Sequence, residues 1–185
     1  SGLFKSIKSK KDLEKFIQER SAHVSQTTLY GYLKTRIGVK YIAMMEDEVF
    51  LKSINIAKWN IYVVALADCA FYVFSYLISE KNLKENDCKE IFLNILENEK
   101  KNGLNDEIFD RGKKNFLERI NKVNFLNYHL DDPFKESGQA LYYWSPIADE
   151  LKSLDKKIVL NSIHLKWGLM TVSYTHLTLP TTIEV

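Results

Sequence analysis

The chain has 185 residues, 45% of them apolar and 27% charged, with a formal net charge of +2. That length suits one globular domain burying roughly 70% of its unfolded surface, and seven Gly with three Pro exclude collagen-like and linker-like chains. Two Cys without a C-x-x-C pair argue against a disulfide scaffold or a Cys-based zinc site, and the near-neutral balance gives no pull towards nucleic acid.

The opening segment puts Leu3, Phe4 and Ile7 on one helical face, with Lys5, Lys8, Lys10 and Lys11 around them. Such a short basic amphipathic segment predicts weak contact with an anionic membrane face; a frayed terminus is the plainer alternative. With no apolar signal-peptide stretch at this end, a cytoplasmic and at most peripherally membrane-associated protein is expected.

Ser9 and Asp12 form a capping-box signature for a helix whose apolar residues (13, 16, 17, 24, 30, 33 and 37) follow the 3.6 period. Gly38 is its natural stop. After a turn at 41–45, acidic Glu46, Asp47 and Glu48 suit a helix N-terminus. The helix they introduce, about residues 47–79, is amphipathic at first and apolar nearly all round from Ile61 to Ile78. Such a segment is either the buried centre of a bundle or a membrane span. Asp68 in its middle, with Lys58 and Asn60 before it, favours the bundle.

Asp87 with Glu90 predicts a capping box opening a helix that ends at Gly103. Asn105 or Asp106 caps the next, which carries Ile108, Phe109, Phe116, Leu117, Ile120 and Val123. Asp131-Asp132-Pro133 breaks the chain. Leu141–Trp144 is read as an aromatic loop, and Ser145-Pro146 as the start of a last helix with Ile147, Leu151, Leu154 and Ile158 turned inward. No run alternates with period 2 before the tail. The expectation is an all-α single bundle of five to six helices around the apolar central one.

The tail, residues 172–185, carries a different signal. Val172–Thr181 back-translates into GTC TCT TAT ACA CAT CTG ACG CTG CCG ACG, which resembles the transposase adapter used to fragment DNA for sequencing. The expectation is a helical domain over 1–171, truncated at its C-terminus, followed by a non-native adapter-derived tail. Over 1–171 the charges are 26 Lys+Arg against 23 Asp+Glu, a balance of +3. The 22 Lys against four Arg, with 16 Ile and 13 Asn, fit an AT-rich bacterial coding bias, of metagenomic origin given the adapter.

Asp68 is the residue that asks for chemistry. A carboxylate among Ala67, Cys69, Ala70 and Phe71 must be paired, hydrogen-bonded or protonated. One reading makes it the centre of an internal ligand cavity with Tyr62, Tyr72 and Tyr76. The other pairs it structurally with a cation of another helix, Arg36 or Arg20. His129 with Asp131 and Asp132 is a tempting metal cluster, yet reads more simply as a helix end. No Glu-x-x-His, Gly-x-Gly-x-x-Gly, P-loop or G-x-S-x-G motif occurs, so no metal, cofactor or catalytic residue is assigned. Cys69 reads as inert; a first-turn position for Cys88 would mildly favour its thiolate.

Tyr30–Tyr41 (YGYLKTRIGVKY) and Ser53–Asp68 (SINIAKWNIYVVALAD) resemble small all-helical alphaproteobacterial proteins of no established activity, some labelled esterase. The resemblance implies an all-helical fold and assigns no site residue. Taken together, the residues favour a non-enzymatic interaction or assembly protein with an unknown protein partner. The alternative is a small-ligand binder or enzyme with its cavity around Asp68.

Overall fold

The computed structural model describes residues 7–81 and 83–175. They form an all-α bundle: α1 (Lys10–Ile37), a 3-10 turn (Gly38–Lys40), α2 (Tyr41–Met44), α3 (Glu48–Lys81), α4 (Glu85–Lys101), α5 (Asp106–Ile120), α6 (Lys135–Trp144) and α7 (Asp149–Thr175). No strand occurs among the described residues. Helix α7 continues past residue 171 without a break; residues 176–185 lie outside the described residues.

Local signals set most helix ends. Ser9 Oγ accepts from Asp12 N at 3.1 Å, and Gly38, at φ 66°, donates its N–H to Lys34 O. Asp47 Oδ1 takes the Phe50 N–H at 2.8 Å, and Asn105 Oδ1 takes the Ile108 N–H at 2.9 Å. Asp87 works one turn later than expected. It sits inside α4 and reaches back to accept from Lys84 N at 3.1 Å. The larger correction concerns residues 135–146. Leu141–Trp144 is the end of helix α6, not a loop, and Ser145 terminates it: its N–H and its Oγ both go to Leu141 O. Helix α7 begins at Asp149 instead.

Helix α3 is the axis, packed against α1, α4, α5 and α6. Its second half is buried on all sides, with Ile61, Ala65, Leu66, Phe71, Phe74 and Leu77 inaccessible. By length and apolarity this helix could cross a membrane, but 83% of its most apolar 18-residue window is covered by the bundle. On α1, Ser25 and Thr28 return their hydroxyls to carbonyls of their own helix at 2.7 Å, which lets small polar residues pass into the interior. A column of rings ties three helices: Phe71 stacks on Phe116 at 5.0 Å, and Phe116 on Phe92 at 3.9 Å. Helices α3 and α5 meet so closely at Gly112 that a Cβ there would stand 2.5 Å from Val63 Cγ1.

One face of α7 is reversed from the expectation. The inward residues are Lys152, Val159, Ile163 and Trp167, with Trp167 stacked on Phe134 at 4.5 Å. Leu151, Leu154 and Ile158 point away from the bundle, with Leu154 75% and Ile158 69% exposed. Both sets have helical spacing, so the helix carries two apolar stripes and the bundle covers only one.

Candidate functional site

Asp68 is fully inaccessible at the centre of α3. Its Oδ2 accepts from Ser137 N at 2.8 Å and from Ser137 Oγ at 2.6 Å. Ser137 lies in the first turn of α6, whose leading residue Phe134 offers no capping side chain. Asp68 therefore supplies, from another helix, the acceptor and negative charge that a helix N-terminus needs. Its Oδ1 has no aligned hydrogen bond and is held by the Arg119 guanidinium, Nη2 at 2.9 Å. Arg119 comes from the last turn of α5, lies over the Phe71 ring at 4.7 Å and donates to Tyr128 Oη at 3.2 Å. The Tyr128 hydroxyl in turn donates to Pro133 O at 2.7 Å. One carboxylate thus joins α3, α5, the α5–α6 connection and α6.

Burial is the largest influence on Asp68 and raises its pKa to about 6, against the opposing pull of Arg119 and Ser137. Burial likewise pushes the Tyr128 hydroxyl up. The two thiols are pushed to about 12 by burial, so the first-turn position of Cys88 does not favour its thiolate.

The other expected site residues disperse. Arg36 is not the partner of Asp68. Its Nε and Nη2 each bond Asp155 at 2.6 Å, and Tyr32 Oη donates to the same carboxylate at 2.8 Å, so Arg36 clamps α1 to α7. Tyr62 faces α4 and donates to Glu99 Oε1 at 2.9 Å, an oxygen that also takes Gln18 Nε2 at 2.6 Å. Tyr72 and Tyr76 have hydroxyls 3.3 Å apart and pack towards Phe134 and His129. Ile7, expected on an exposed lipid-facing surface, is buried in the core cluster. Lys8 is exposed, whereas Leu3, Phe4 and Lys5 lie outside the described residues. Among the described residues no group of three or more His, Cys, Asp or Glu side chains is placed to hold a metal. His129 packs on Tyr76, and Asp132 lies 3.6 Å from His164.

Sequence reasoning did not find Ser137, Arg119 and Tyr128. Ser137 sits in Glu136-Ser137-Gly138, which lacks every mark of a nucleophile turn, and nothing local ties Arg119 to Asp68. Beside the network lies a groove of about 470 Å³ between α3, α5 and α6, lined in part by Val63, Ala67, Arg111, Arg119, Glu136 and Trp144. Arg111 bonds Asn60 Oδ1 across it and covers the Trp144 ring at 5.5 Å. Asp68 does not line this groove; Arg119 stands between. Another exposed surface is the outer face of α7, where Leu151, Leu154, Ile158 and Leu165 follow a heptad spacing with Asn161 at the remaining position. Compared with models of known families, with curated proteins and with solved structures, the chain matches none of them.

Proposed function

We propose that this chain is a helical interaction module whose working surface is the outer face of α7. The observation that carries the reading is the row Leu151, Leu154, Ile158 and Leu165, exposed on the face opposite the buried Val159, Ile163 and Trp167. Scattered exposed apolar residues are ordinary; a row at seven-residue spacing along a two-faced helix is the pattern that packs against another helix. The chemistry of Asp68 supports the same reading, because both of its oxygens are engaged by groups of its own chain. The test is a titration with a fluorescent helical peptide of about 21 residues carrying Leu at both core positions of each heptad. Binding that disappears with Ile158→Glu is the expected result; no binding, or binding indifferent to that substitution, contradicts the reading.

The groove beside Arg119 supports a second reading, a small-ligand binder, since its volume is that of ligand pockets in general. Thermal-shift screening with small amphipathic acids and amines tests it, with Trp144→Ala as the control variant. A stabilising compound that loses its effect in Trp144→Ala would favour it, and none across the screen would remove it.

A further inference from the structure

The flanks of the outer α7 face specify what covers it. Glu150 and Lys157 stand seven residues apart on one flank of the apolar row, both exposed, and neither has an ion-pair partner among the described residues. Asp155 and Ser162 occupy the other flank, where Asp155 is already held by Arg36 and Tyr32. Charges on the flanks of a helix–helix seam set partner and orientation. We infer that the outer face of α7 pairs with the same face of a second copy of this chain, the two helices running antiparallel.

In that arrangement a two-fold axis between residues 153 and 154 sets Glu150 opposite Lys157 of the partner subunit, and the reverse pair follows by symmetry. The two Leu154 side chains then meet across the axis, flanked by Leu151 of each subunit, with Ile158 closing each end of the apolar strip. A parallel pairing would instead bring Glu150 to Asp155 of the partner subunit, already held by Arg36, and Lys157 to Ser162 of the partner subunit, so that neither charge meets an opposite one. The seam is also self-complementary in length, since the paired stretch of about ten residues begins where α7 begins. Leu165 lies beyond the overlap. A strip this short places the contact in the weak, small-interface class.

The inference rests on the outer face of α7 being a docking surface, and the experiment separates the two claims. The full chain, 21.6 kDa as a monomer, is followed by sedimentation equilibrium from roughly 5 µM to 1 mM, a range that spans weak association. The expected result is a mass rising towards that of a dimer, with Ile158→Glu remaining monomeric. Glu150→Lys alone should weaken the association by roughly tenfold or more, and Glu150→Lys with Lys157→Glu should restore it, since the swap exchanges the two charges across the axis. A monomer throughout, a dimer indifferent to Ile158→Glu, or a charge swap that fails to restore association each overturns the inference. Binding of the heptad peptide by a chain that stays monomeric would overturn the self-pairing and leave the docking surface standing. Unchanged circular dichroism and melting temperature in each variant confirm that folding is intact, as the substituted side chains are exposed.

Discussion

Asp68 shows how one buried charge is made tolerable. A carboxylate removed from water costs several kcal/mol unless its charge is answered, and here an arginine, a hydroxyl and a backbone N–H answer it. Burial still dominates, so the folded pKa of about 6 stands above the usual 3.8. The folded protein thus takes up this proton before the unfolded chain does. The stabilising contribution is complete below pH 3.8 and is lost as pH rises through about 6. Urea unfolding of wild type and Asp68→Asn should show a stability difference that moves against the wild type by about 2–3 kcal/mol between pH 4 and 7.5. A difference independent of pH would contradict this origin. Arg119→Met leaves the carboxylate buried without its cation and should cost about 3–5 kcal/mol at pH 7.5; since Arg119 holds the Asp68 pKa down, its loss raises that pKa further, and the cost shrinks as pH falls towards 6. The double variant Asp68→Asn/Arg119→Met should recover part of that loss; a cost independent of pH in Arg119→Met would show that the guanidinium acts through packing on Phe71 instead.

Among the elements, α3 and α5 approach closely at Gly112. With Val63 Cγ1 only 2.5 Å from where a Cβ of residue 112 would lie, Gly112→Ala requires the Val63 side chain to shift and should destabilise by about 1–3 kcal/mol despite the better helix propensity of Ala. Phe116→Ala, which removes the middle ring of the three-helix column, should cost about 3–5 kcal/mol in the same unfolding assay. The central helix, α1 and α5 were legible in the sequence because periodicity and caps agree there: Ser9, Gly38, Asp47 and Asn105 each do locally what their residue type favours; α4 was legible from its period, with its start displaced by one turn. Helix α6 was not. Its signals are weak at the start, where the cap comes from Asp68 of another helix, and Ser145-Pro146 at its end imitates a beginning. In α7 the period identified a helix but could not say which of two apolar stripes faces inward. That choice is made by Phe134, whose ring receives Trp167, and by the Arg36 clamp on Asp155. The network around Asp68 was legible only as a need for a partner, since Arg119 and Ser137 reach it through the fold.

For the whole molecule, the pattern is a bundle that settles its unusual carboxylate internally and leaves an exposed apolar row on its last helix. The apolar central helix, long enough to span a bilayer, has its chemistry and most of its surface turned towards protein. The docking face proposed on α7 and the network around Asp68 can be separated in one measurement. The heptad-peptide titration is run side by side on wild type, Ile158→Glu and Asp68→Asn, at a pH near 7 where Asp68 is mostly ionised. The account predicts binding by wild type and Asp68→Asn with affinities within about threefold, and none by Ile158→Glu. Binding that survives in Ile158→Glu but is lost in Asp68→Asn would contradict it and move the working site to the interior network.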